Sequence, residues 1–258
     1  MGRVEFKIAS AEKIAEYIYD LRHTLDESKL EQRSGLECIF VEFNLDLKKE
    51  LFYSKKLTFD LKKKLVKNIK MQLGSQKKEM ITFLKEIRKE WAKIEEIYFK
   101  EMKNIFEIKK YKKYICYLNN CVVSAYFKNN EISLTYSEKF KKNKEKLIEE
   151  STFIIGEEIL HLIYFDYIGK LFNKNFSFDE IYDLGNDEYS GWHLVELMPE
   201  YLLVQNPLFK KFGWNKINRE KKGYFWISKI RKKIDRFYDK KDFKKFIIKI
   251  HESFNLKK

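Results

Sequence analysis

A mostly helical α+β fold with one small antiparallel sheet is predicted by three observations. Apolar residues recur at spacings of three, four and seven over most of the chain, which is the period of an amphipathic helix. Between Tyr111 and Tyr136 the period shortens to that of a strand, in the runs YICYL, CVVSAYF and EISLTY. Shortly after, Ser151 to Ile168 is apolar or aromatic on nearly every side, as in a helix buried around most of its circumference.

In chain order, a short extended piece leads into SAEKIAEYIYDLRHTL. There Ser10 is placed to cap a helix whose Ile14, Ile18 and Leu21 share one face. His23, near the end of that helix, suits the negative pole of its dipole. The run CIFVEFNL, from Cys38 to Leu45, is β-branched and aromatic enough for a strand. Leu61, Leu65, Ile69 and Leu73 mark a helix that Gly74 is expected to end, and Ser75 to about Phe106 a second, longer one whose Lys and Glu alternation makes a solvated face. The three strand runs that follow are separated by Asn119-Asn120 and Asn129-Asn130, which favour tight turns and hence antiparallel hairpins. Residues 169 to 190, with Gly169, Gly185 and several Asn and Asp, read as a loop leading to a helix from Gly191 to Val204 that Pro199 should kink. From Asn215 onward, Ile227, Ile230, Ile234 and Phe237 form one stripe and Phe246, Ile250 and Phe254 another, with His251 expected at the surface. These elements group as a helical part with one short strand region (1–110), a sheet with the central helices (111–206) and a basic helical extension (207–258), within one compact unit.

Composition narrows the class of protein. With 44% hydrophobic and 16% aromatic residues the chain has too many core formers to be disordered. A formal charge of +14 invites a nucleic-acid partner. Yet of the 53 basic residues only seven are Arg (Arg3, Arg22, Arg33, Arg88, Arg219, Arg231 and Arg236). Lys spread over helix faces is solvated surface, without the planar fork that phosphates and bases engage, so nucleic acid is allowed by the charge but not favoured. Cys38, Cys116 and Cys121 fit neither an even disulfide framework nor a paired metal motif and read as reduced packing thiols. No apolar signal core opens the chain and no run approaches the roughly 18 to 20 apolar residues of a membrane helix, so the expected setting is the cytoplasm, with no membrane partner.

The chemistry is concentrated in STFIIGEEILHLIYFDYI and GWHLVELMPEYLLV. Carboxylates withdrawn from water must be paired, protonated or bound to a metal, and Glu157, Glu158 and His161 stand at the centre of the most apolar segment. Helical spacing puts Glu157 and His161 on one face at i, i+4, with Glu158 beside them at i, i+3 from His161. In the second segment His193 and Glu196 lie three apart and Glu200 follows one turn later, with Pro199 leaving open whether His193 or Glu196 faces the first segment. Two of the four His in the chain thus fall beside carboxylates at one-turn spacing, as the two walls of a metal site would require.

The sequence Glu157-Glu158-Ile159-Leu160-His161, after a long helix and a short sheet and before a helix carrying another carboxylate, resembles the zincin metallopeptidases of the gluzincin branch. Their motif is His-Glu-x-x-His followed by a Glu on a later helix. The resemblance implies one divalent ion, zinc, held by Glu157, His161 and Glu196, with His193 or Glu200 as rival ligands. It implies Glu158 as the general base that activates water, and a peptide or protein as substrate. The chain departs from the motif at Glu157, where the family has His. A carboxylate also ligates zinc, but it lowers the charge on the ion and leaves a bound water less acidic. A protein that has lost catalysis and binds a partner through the same frame is the alternative this departure raises. Glu158-x-x-His161 also matches the Glu-x-x-His of ferritin-like dimetal proteins, whose four-helix bundle has no place for a sheet. On the plainest reading, His161 is a satisfied core histidine and Glu157 or Glu158 pairs with one of the many Lys.

Overall fold

The computed structural model describes residues 2–20, 44–122, 125–126, 130–173, 191–219, 224, 226–238 and 242–253. Leu21, His23, Cys38 with most of the strand expected at 38–45, residues 174–190 of the loop expected at 169–190, and Phe254 lie outside these residues; Gly169 is helical instead. The chain divides into two compact units, one formed by Arg3–Trp91 and Lys113–Ser151, the other by Met1–Gly2, Ala92–Lys112 and Thr152–Lys258. Among the described residues, no helix is long and apolar enough to cross a membrane.

In the first unit, strand β1 (Arg3–Ile8) leads to helix α1 (Ala11–Asp20), whose first turn is closed by the Ser10 hydroxyl accepting from the Lys13 amide at 3.1 Å. Helix α2 (Leu45–Tyr53) begins where a strand was expected to end, because Asn44 caps it: its Oδ1 accepts from the Leu47 amide at 2.9 Å. Helix α3 (Phe59–Phe106) is one continuous rod of 48 residues, not two helices parted at Gly74. Ser75 does not cap a new helix there; its hydroxyl bonds back to the Gln72 carbonyl at 2.8 Å. Apolar positions of α1, α2 and the first turns of α3 close on one another: Ile14, Ile18, Leu47, Leu51, Leu61, Leu65 and Ile69 are all buried in one cluster.

The sheet corrects the predicted fold class. Strands β2 (Lys113–Asn119), β3 (Ala125–Tyr126) and β4 (Glu131–Thr135) join β1 in the order β1-β2-β4-β3. The three longer strands run parallel, with Phe6, Cys116 and Ile132 side by side, and only the two-residue β3 is antiparallel to β4. Asn119 explains the failure of the hairpin expectation. Its side-chain oxygen accepts from the backbone amides of Cys121 (2.8 Å) and Val122 (2.7 Å), turning the chain out of the sheet instead of back along β2. The chain then returns through β3 to the starting end of β4, so β4 lies beside β2 in the same direction. Alternation along the strands buries Val4, Phe6, Tyr114, Cys116, Leu118, Ile132 and Leu134.

Helix α4 (Lys144–Leu171) begins in the first unit and carries the apolar segment into the second. There the Tyr98 hydroxyl of α3 donates to the Gly156 carbonyl of α4 at 2.7 Å. Helix α5 (Gly191–Pro199) passes directly into a π-helical turn, Glu200–Val204. Pro199 has no N–H to give the preceding turn, and the chain resumes in a wider turn in which the Gln205 amide reaches the Glu200 carbonyl at 3.0 Å. Helices α6 (Ile227–Ile234) and α7 (Phe243–Ser253) bury the predicted stripes at Ile227, Ile230, Ile234, Phe246 and Ile250. Rings of Phe106 and Phe243 meet edge-on at 5.1 Å and tie α7 to the end of α3. His251, expected at the surface, is 4% exposed, with its Nε2 3.4 Å from the Tyr164 hydroxyl and its ring against Phe172.

Candidate metal centre

Glu157, Glu158 and His161 occupy the buried middle of α4, one turn after Thr152 and Phe153. The helix is held in place just ahead of them by Trp214. A side-chain carbon at Gly156 would lie 2.8 Å from the Trp214 ring, so glycine is what allows this close approach. Trp214 also donates from its indole N–H to the Thr152 hydroxyl at 3.3 Å and stacks on Phe209 at 4.8 Å. It belongs to a pair of 3-10 turns, Pro207–Phe212 and Trp214–Lys216, joined by Gly213 in the left-handed conformation. Asn206 caps the first of them by accepting from the Leu208 amide at 3.1 Å. These turns lead to Ile217, which is buried, and then to Arg219.

Arg219 is the residue that the sequence did not single out. Its guanidinium, 2% exposed, donates from Nη2 to Glu157 Oε1 at 2.5 Å and to Glu196 Oε2 at 2.9 Å. Nη1 donates to the backbone carbonyl of Glu196, and the guanidinium lies over the Tyr224 ring at 4.3 Å. Segments remote in sequence, around residues 157, 196 and 219, are thereby joined through one cation. The available signal was compositional: an Arg kept in a chain that otherwise uses Lys marks a site where a planar, multi-donor cation is needed.

Glu196 projects from α5 toward α4. Its Oε1 is 3.6 Å from His161 Nε2, outside hydrogen-bonding distance. Burial holds His161 down to about pKa 4, against the pull of the Glu157 charge, so its imidazole is neutral at physiological pH and able to ligate a metal. Burial raises the Glu157 carboxyl, and Arg219 only partly offsets it. For Arg219 burial favours the neutral form, but the Glu157 and Glu196 carboxylates together outweigh it and the guanidinium is held charged. The Tyr224 phenol is pushed up by burial and by the charges of Glu196, Glu157 and Glu158, which sets Glu158 in the same electrostatic neighbourhood.

One nitrogen of His161 and one oxygen each of Glu157 and Glu196 lie within 4.8 Å of one another. Ligands around a tetrahedral zinc are about 3.4 Å apart, a contraction that side-chain rotation can supply. Two carboxylates and a neutral imidazole are a chemically sound donor set for a divalent ion, and the residues present fit one. The two rival ligands are engaged elsewhere: the His193 ring packs on Trp226 at 4.7 Å, and Glu200 accepts from Arg231 at 3.4 Å. Neither belongs to the three-donor group found among the described residues. Tyr164 and Tyr201 are buried. No protein-family model, curated protein or solved structure matches this chain.

Proposed function

We propose that this chain is a metal-dependent hydrolase of the zincin kind, acting on peptides or proteins. The convergence of Glu157, His161 and Glu196 from two helices on one buried point carries this reading. The likeness to zincins now rests on that helical motif, since the antiparallel sheet is not part of the fold. A divalent ion bound here, zinc by the nature of the donors, would polarise a scissile carbonyl and acidify a water. Glu157, His161 and Glu196 hold the ion, and Glu158 accepts the proton of the attacking water. Burial of His161 keeps its imidazole neutral, as a ligand must be. The proposed compartment is the cytoplasm, supported by three cysteines that fit no even disulfide framework.

The test is elemental analysis of dialysed protein reloaded with excess zinc. We expect one equivalent, lost in His161→Ala and in Glu196→Ala. Zinc-dependent cleavage of a peptide library should disappear in Glu158→Gln while the zinc is retained. Failure to take up zinc by both the parent protein and Arg219→Gln would end the proposal.

Arg219 favours a second reading, because it already neutralises part of the charge on the two carboxylates. On that reading the centre is a structural ion-pair knot in a non-catalytic protein that binds a partner. Glu158→Gln would then leave the cellular phenotype intact.

A further inference from the structure

The acidic ligands of the proposed centre already have a cation. Arg219 Nη2 reaches one oxygen of Glu157 and one of Glu196 within hydrogen-bond distance, and Nη1 holds the backbone of Glu196. An ion bound through the three donors at about 2.0 to 2.2 Å would come within roughly 4 to 5 Å of that nitrogen. Both positive charges would then sit in a buried site with little solvent to screen them.

We infer that Arg219 is an internal cation that competes with a divalent metal for Glu157 and Glu196, so that metal binds only as the guanidinium gives up these carboxylates. The inference rests on the donor set proposed above. Both carboxylates accept from the guanidinium, which offsets their mutual repulsion. The same contacts lower metal affinity, because the ion must replace hydrogen bonds already made and approach a like charge. The guanidinium also lies over the Tyr224 ring at 4.3 Å, so giving up the carboxylates means leaving this contact or turning within it.

The experiment compares divalent binding by the full chain carrying Arg219→Met, Arg219→Gln and Arg219→Lys with that of the parent protein. Zinc is titrated by calorimetry, and cobalt(II) is followed by visible absorption, which reports the ligand set directly. The neutral variants should bind zinc and cobalt at least about tenfold more tightly than the parent, and Arg219→Lys, which keeps the charge, should stay near the parent value. Gln retains a hydrogen-bonding head, so it provides a folded neutral variant should Met not fold. Equal or weaker binding by the neutral variants would overturn competition and make Arg219 a support for the ligands, with the metal centre itself intact. Absence of binding by the parent and all variants would overturn the donor set as well, and so is distinguishable from the previous outcome.

Discussion

Two histidines of this protein are buried and neutral, and they differ in what surrounds them. His161 faces carboxylates and an arginine, whereas His251 lies among Tyr164 and Phe172 in an apolar setting. Burial alone lowers His251 from its ordinary 6.5 to about 4. The unfolded chain therefore binds a proton between these values that the folded chain does not. The stabilisation is complete above pH 6.5 and is lost as pH falls toward 4, by about 3 kcal/mol in all. Urea unfolding measured across that range should show this acid loss shrink in His251→Phe. An unchanged slope would mean that the imidazole protonates without unfolding anything. At this scale Glu157 and His161 could be placed together from the sequence, because helical spacing puts them on one face; Glu196 could be named only beside His193, since Pro199 left the phase of its helix open. Arg219 could not: it lies beyond two 3-10 turns, where no period relates it to the helices it serves. Nor could the burial of His251, since a histidine near a helix end is as well suited to water as to a core.

Local punctuation proved the least reliable guide among the elements. Gly74 looked like a stop, but the helix runs on through it without interruption. Thr58, in contrast, accepts from the Leu61 amide at 3.2 Å and marks a true beginning. A methyl group at Gly74 meets nothing within 4 Å. Gly74→Ala should therefore stabilise the protein by about 0.5 to 1 kcal/mol, read as a raised denaturant midpoint with an unchanged slope. Destabilisation would show that the helix depends on freedom at that point. The strand runs were legible from composition, but their direction was not. Parallel or antiparallel pairing at Asn119 depends on which amides its side chain captures, and a dipeptide of two asparagines does not specify that. Pro199, expected to kink its helix, marks the change from α-helix to π-helical turn, because its effect, a missing donor, is independent of context.

Over the whole molecule the +14 charge is the property most open to misreading. Several lysines of the first unit pair with carboxylates: Lys62 with Glu16, Lys64 with Glu50, Lys70 with Glu12 and Lys144 with Glu86. Such exposed pairs contribute little to stability, but they disperse positive charge instead of concentrating it in one groove. Retention on double-stranded DNA should accordingly be weak and vanish by about 0.2 M salt. Tight retention above that concentration would restore the nucleic-acid reading. The sheet carries a different kind of consequence. Strand β1 finds its neighbour β2 about 110 residues later in the chain, since Arg3 sits beside Lys113. During synthesis β1 must wait while α1, α2 and α3, among the described residues, are made before anything exists for it to pair with. The folding of this unit is thus limited by a long-range closure, which favours slow, late assembly of the sheet around helices that form early.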